Sequence, residues 1–283
     1  MLELVEYKDP HRFRGAVMDW LLQSEAENCV QIGLIQRMVD QGYAPVSADE
    51  MNRPILVSIH DGPRVELVAV QTLRARLIVT RCMPEAAHLL GEWLAAQNWT
   101  GGGIVGVRPS AQMIAERYSL LSGRPRKLAI QLRVYALQTI TWPRPVCGVM
   151  RLCIPADRNL LAEFLAGFQA DTGQTSAEDD LLRADRLIEA RRIFFWEDPE
   201  PVAMAAWAGG TPNGVRINFV YTPPEFRGRG YASNLVAALS QSQLAAGKKL
   251  CFLFTDLANP TSNSIYQQIG YTPVSDSERW DFD

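Results

Sequence analysis

Several features that would mark common functional classes are missing from this chain. No run of eighteen apolar residues occurs, so nothing reads as a membrane-spanning helix. The three histidines, His11, His60 and His88, stand far apart and form no metal-ligand spacing, so no metal is assigned. The five cysteines (Cys29, Cys82, Cys147, Cys153, Cys251) are odd in number and contain no Cys-x-x-Cys pair. They read as buried thiols of a reducing, cytoplasmic setting. Basic residues are not in excess: the formal charge is −3, which argues against nucleic acid as a main partner. The first residues, Met1 to Glu6, are acidic and do not read as a signal peptide.

What the chain does have is length and apolar content. With 283 residues, 47% of them hydrophobic, two packed domains are expected. The extended segment Thr139-Ile140-Thr141-Trp142-Pro143-Arg144-Pro145 reads as a semi-rigid connection. Division there gives residues 1–138, a linker over 139–146, and residues 147–283.

The most informative segment is Glu225-Phe226-Arg227-Gly228-Arg229-Gly230-Tyr231-Ala232. It follows a strand pattern from Val215 to Tyr221, in which Val215, Ile217, Phe219 and Tyr221 alternate with Arg216 and Asn218. It enters a helix pattern with Ala232, Leu235, Val236 and Leu239 on one face. A glycine-bearing turn from strand to helix leaves backbone N–H groups unpaired, and the helix dipole adds positive potential there. Arg227 and Arg229 add charge, although Arg229 reads equally well as a solvated side chain. Such a turn suits a phosphate-bearing ligand. It is not a P-loop, because no Gly-Lys-Ser/Thr follows, and the dinucleotide fingerprint fails at Ser233.

The segment resembles the pyrophosphate loop of the GNAT acetyltransferase superfamily, Arg/Gln-x-x-Gly-x-Gly/Ala, here Arg227-x-x-Gly230-x-Ala232. Downstream, an apolar strand pattern from Leu250 to Thr255 is followed by Asn259, Ser262, Ile265, Tyr266, Gly270 and Tyr271. These resemble the second signature of that superfamily, Asn-x-x-Ala/Ser-x-x-Leu/Ile-Tyr followed by Gly-Phe/Tyr. The resemblance implies an α/β (α+β) chain with the GNAT fold, a mixed, mostly antiparallel sheet flanked by helices. The catalytic domain would be 147–283. The 1–138 half shows a similar order of elements, so a degenerate GNAT-like or accessory domain in tandem is expected. Its corresponding turn, Arg81-Cys82-Met83-Pro84, has no glycine, and Pro84 removes a donor. Gly101-Gly102-Gly103 precedes a strand pattern and reads as a connection, not a phosphate loop.

The resemblance further implies acetyl transfer from acetyl-coenzyme A to a primary amine in a ternary complex. Val220, Tyr221 and Thr222 would hold the pantetheine arm by strand addition. Gly228, Arg229, Gly230, Tyr231, Ala232 and Ser233, with Arg227, would hold the pyrophosphate. Ser262 shares a helix face with Tyr266, and Asn259 would either bond the arm or cap its helix. Tyr266 would act as the acid that protonates the departing thiolate, or else pack as an aromatic. The strand pattern before the loop has Arg216 and Asn218 and no carboxylate, which leaves Glu197, Asp256, Asp276, Glu278, Asp281, Asp283 or a water chain as base. Phe194, Phe195 and Trp196 fit either an acceptor pocket or the core. A non-catalytic acyl-coenzyme A binding module remains the alternative. The sequence sets neither the acceptor nor the oligomeric state.

Overall fold

The computed structural model describes residues 1–40, 54–72, 76–173 and 178–283. The chain divides into two compact units: Met1–Val134 with Thr255–Asn259 and Pro273–Asp283, and Tyr135–Phe254 with Pro260–Thr272.

The first unit begins with β1 (Leu2–Glu6), α1 (Pro10–Leu22), α2 (Cys29–Asp40), β2 (Ile55–Asp61) and β3 (Arg64–Gln71). It continues with β4 (Leu77–Val79), α3 (Pro84–Ala96), β5 (Gly103–Val107), α4 (Ser110–Ser122) and β6 (Arg126–Leu137), whose last three residues belong to the second unit. The strand β1 was not anticipated, because five residues with two glutamates carry a weak pattern. It pairs antiparallel with β2, Leu4 opposite Ile59. Asp9 to Asp40, which has a helical pattern in the sequence, forms α1 and α2, with Asp9 capping α1 through a bond from the His11 N–H. The strand pattern in the sequence runs from Val65 to Leu73, and Leu73 lies outside the described residues. The two faces of the sheet alternate as strand geometry requires. Val57, Ile59, Leu67 and Ala69 pack under α3 and α4, while Leu56, Val68 and Val70 pack under α1 and α2.

The second unit holds β7 (Val149–Leu152), α5 (Arg158–Thr172), α6 (Asp180–Glu189), β8 (Ile193–Glu197), β9 (Pro201–Ala208) and β10 (Gly214–Tyr221). Then follow α7 (Tyr231–Ala245), β11 (Leu250–Asp256) and α8 (Pro260–Ile269). Helix α6 starts at Asp180, capped by Asp179 through the N–H groups of Leu181 and Leu182. The helix pattern in the sequence spans roughly Ala177 to Glu189, and Ala177 lies outside the described residues. The strands run in the order β11-β10-β9-β8-β7, with β10 and β11 parallel and the others antiparallel. On one face Leu235, Val236 and Leu239 of α7 and Tyr266 and Ile269 of α8 pack on Val215 and Ile217. On the other, Phe164 and Leu165 of α5 and Leu187 and Ile188 of α6 pack on Phe195, Met204 and Ala206.

The division at 139–146 places residues 273–283 with the C-terminal domain, but their contacts group them with the first unit. The reason is strand pairing: β12 (Thr272–Phe282) runs antiparallel to β5, Trp280 opposite Ile104. Phe282 meets Trp99 and Tyr118 edge-on, at centroid distances of 5.9 and 4.9 Å. Such aromatic contacts add to the burial itself. We therefore expect Phe282→Ala to destabilise by about 3–5 kcal/mol. Amide exchange should accelerate first in α3, α4 and β5, leaving α7 protected. Faster exchange confined to α7 and α8 would contradict this grouping.

Candidate functional site

The site grows from an irregularity in β10. The strand pairs with β11 only from Gly214 to Arg216, opposite Leu250 to Phe252, although both strands run on. On its other edge, the register with β9 shifts between Asn218, opposite Ala206, and Tyr221, opposite Met204. The extra residue is a β-bulge, and Phe219 adopts a φ of 50°. A bulky residue there is strained, so the surroundings must hold it. The bulge also overturns the expected alternation. Val215 and Ile217 face α7, but Phe219 and Tyr221 are switched to the α5 face, where Phe219 meets Phe168 edge-on at 5.5 Å. Tyr221 meets Phe164 in the same way at 5.7 Å, and its hydroxyl occupies the space that a side chain at Gly167 would need. Val220 remains on the α7 face.

Beyond the bulge, β10 leaves polar atoms without partners. Asn218 Oδ1 and Thr222 Oγ1 are shielded from solvent yet have no hydrogen-bond partner among the described residues. Buried polar atoms are normally satisfied, so two orphans beside a strand separation mark a place where a ligand or water belongs.

The turn follows directly. A single 3-10 turn, Pro224–Phe226, leads to Arg227, and Gly228 and Gly230 take φ of 75° and 83°. Both positions favour glycine, and at Gly230 a side chain would also press on Val146, 3.2 Å away. The chain then enters α7 at Tyr231. Among the described residues, no backbone N–H from Gly228 to Ser233 has a hydrogen-bond partner; the next one, Asn234, donates to the Gly230 carbonyl at 3.1 Å. Six successive donors at a helix N-terminus form a concavity for an anion. The Asn234 side chain fastens this turn to the preceding segment by donating to the Arg144 carbonyl at 3.1 Å.

The two loop arginines are less free than their sequence positions imply. Arg227 donates through Nε to the Thr222 carbonyl at 2.9 Å and through a terminal nitrogen to Asp171 at 2.5 Å. Arg229 donates to the Glu225 carbonyl at 3.1 Å. The Tyr231 hydroxyl donates to Asp198 at 2.8 Å, and that bond holds its pKa above the usual tyrosine value. Asp171 and Asp198 had no signal in the sequence, because each meets its partner only through the fold.

On the other side of the β10–β11 separation, α8 places Ser262 and Tyr266 one turn apart. Asn259 immediately precedes α8, and its N–H donates to the Asp256 carbonyl at 3.0 Å. Tyr266 is buried between Tyr135 and Tyr271, at ring distances of 6.5 and 6.0 Å. Its hydroxyl makes no hydrogen bond to the described residues, and burial pushes its pKa up to about 12.

The carboxylates considered as bases are engaged elsewhere. Glu197 is paired with Arg151, and Asp256 accepts from the Ala258 N–H. Asp276, Glu278 and Asp281 lie in the first unit, bonded to Arg133, Gln131 and Arg76 respectively, and Asp283 ends that unit. Phe195 and Trp196 are buried in the core, with Phe194 packed against it.

In the first unit the corresponding turn is closed. The Cys82 N–H donates to Ser110 Oγ at 2.9 Å, Arg81 is paired with Glu27 at 2.8 Å, and Pro84 has no N–H to offer.

Among the described residues, no helix is long and apolar enough to cross a membrane, and no cluster of potential metal ligands occurs.

No curated protein sequence matches the chain significantly. Residues 195–280, which contain the bulge, the turn and α8, match the family of FR47-like proteins. Solved structures match along nearly the whole length. A Drosophila protein is 13% identical with a TM-score of 0.66, over 99% of this chain and 98% of that one. A GCN5-related N-acetyltransferase from Sphaerobacter thermophilus is 15% identical with a TM-score of 0.61, over 99% and 95%. A tandem GNAT protein from the clavulanic acid biosynthesis pathway is 13% identical with a TM-score of 0.52, over 99% and 98%. Over residues 195–280 the chain is similar to the FR47-like proteins, and along nearly its whole length its fold is that of the GNAT acetyltransferase structures.

Proposed function

We propose that the protein is an N-acetyltransferase that binds acetyl-coenzyme A in its second unit and transfers the acetyl group to a primary amine. The observation that carries this reading is the row of six partnerless amides from Gly228 to Ser233, set beside the β10–β11 separation. The amides fit a pyrophosphate, as in the resemblance of Arg227-x-x-Gly230-x-Ala232 to the superfamily loop. The unpaired edge of β10 at Val220, Tyr221 and Thr222 fits an amide-bearing pantetheine arm, which would bind as an added strand. The orphaned Asn218 and Thr222 oxygens lie at the same place.

In the reaction the amine lone pair attacks the thioester carbonyl carbon, and the carbon–sulfur bond breaks as the new carbon–nitrogen bond is kept. The proton shed by the nitrogen passes to water. The departing thiolate is stabilised by a hydrogen bond from the Tyr266 phenol and ends as the thiol by taking a proton, through that phenol, that water replaces. With its pKa near 12, Tyr266 is protonated at every ordinary pH. The coenzyme thiolate, whose thiol has a pKa of roughly 8.5, is a weaker base than this phenolate, so full transfer of the phenol proton to it runs uphill. The phenol therefore acts by hydrogen bonding to sulfur as charge develops, passing its proton late in the step.

Gly230→Asp should abolish coenzyme binding, because it places a side chain and a negative charge at a φ of 83° in the cradle. Calorimetry on the folded variant is the check, and wild-type affinity would remove this turn from the site. Titration of the whole protein should give one coenzyme per chain, since the turn at Cys82 has its donor occupied. Two coenzymes per chain would contradict this.

Tyr266→Phe should leave both stability and coenzyme affinity near wild type, because the hydroxyl has no partner to lose. Its kcat should fall by about 10²–10⁴-fold. The sign of the pH dependence follows from the raised pKa. The acid is active below about 12, so kcat/KM should rise as the amine deprotonates and show no falling limb from Tyr266 below pH ~10. A free-thiol assay with acetyl-coenzyme A and a panel of amines reads these quantities. Tight coenzyme binding with no thiol release on any amine would favour the non-catalytic acyl-coenzyme A module instead.

A further inference from the structure

The pair Arg227–Asp171 joins the turn to a second element of the same unit. Arg227 projects from the loop, and Asp171 sits in the last turn of α5. The edge of the guanidinium bearing Nε is fully used, by the Thr222 carbonyl at 2.9 Å and Asp171 at 2.5 Å. Both side chains are 46% exposed, so the pair is accessible to a competing anion. Exposed pairs of this kind are weak and can be exchanged. Arg227 is also one of the two cations carried by the loop whose amides would hold the pyrophosphate. The carboxylate of Asp171 and a pyrophosphate oxygen would both compete for this one cation and repel each other across it.

We infer that Asp171 is a latch on Arg227: it holds the arginine when the cradle is empty, and a bound diphosphate must draw Arg227 away from it. Asp171 thereby sets coenzyme affinity below what the loop alone would give. The inference rests on the coenzyme reading above. It also links the phosphate end of the site to α5, whose Phe168 and Phe164 hold the bulged residues Phe219 and Tyr221.

The experiment is a calorimetric titration of coenzyme A into the wild type, Asp171→Asn, Asp171→Glu, Arg227→Ala and the double variant Asp171→Asn/Arg227→Ala. Asp171→Asn should bind about two- to fivefold more tightly, the range set by an exposed pair. Asp171→Glu keeps the carboxylate and should return affinity toward wild type. In the Arg227→Ala background the gain from Asp171→Asn should shrink, because the latch has nothing to hold. Unchanged or weaker binding by Asp171→Asn, with the wild type binding normally, would overturn the latch alone. An equal gain in both backgrounds would do the same, reducing Asp171 to general repulsion. If both Asp171 variants weaken binding together, the residue is structural and the latch fails. No binding by the wild type would overturn the coenzyme reading and the latch with it.

Discussion

The separation of β10 from β11 after Arg216 is the constraint on which the second unit's site depends. Two parallel strands that stay paired present no free edge, and a ligand cannot add to them. Here pairing stops while both strands continue, and the bulge at Phe219 redirects β10. The backbone strain at Phe219 is held by aromatic packing from α5, with Phe168 and Phe164 against Phe219 and Tyr221. That packing has a steric condition at Gly167, where any side chain would meet the Tyr221 hydroxyl. The opening, the strained residue and the α5 face are therefore parts of one arrangement, and the partnerless amides of the following turn sit at its end.

The two units show how little is needed to open or close such a site. Both have a parallel strand pair and a turn leading into a helix. In the second unit, two glycines at positive φ turn the amides outward, and none of those from 228 to 233 is satisfied within the described residues. In the first, Ser110 takes the Cys82 amide, Glu27 takes Arg81, and a proline stands at the first helical position. Burial also pushes the Cys82 thiol up, to about 11, so it is a poor nucleophile as well as a poor anion site. The two turns thus differ in whether their amides are occupied, without a change in the order of elements.

Much of this was legible in the residues themselves. The helix from Tyr231 follows from apolar spacing, and Leu235, Val236 and Leu239 are fully buried as that spacing implies. Gly228 and Gly230 announce a turn that other residues would strain. Pro260 begins α8, as expected of a proline after an asparagine. These features depend on neighbours within one or two turns, so sequence spacing is enough to read them. The alternation from Val215 to Tyr221 misled, because a bulge is decided by the partner strand and not by the strand's own pattern.

Sequence alone determined most of the elements and their order, β1 excepted, and the identity of a glycine turn at a helix start, since backbone sterics and periodicity are local. Tertiary structure decided which groups are occupied. It pairs β12 with β5, bonding Ser277 to Gly106 across 171 positions. It gives Arg227 an Asp171 partner 56 positions away and Tyr231 an Asp198 partner 33 positions away. It leaves Tyr266 buried with its hydroxyl unbonded among the described residues. Charge, hydrogen-bond satisfaction and burial are properties of what surrounds a side chain, and those surroundings exist only once distant segments have packed.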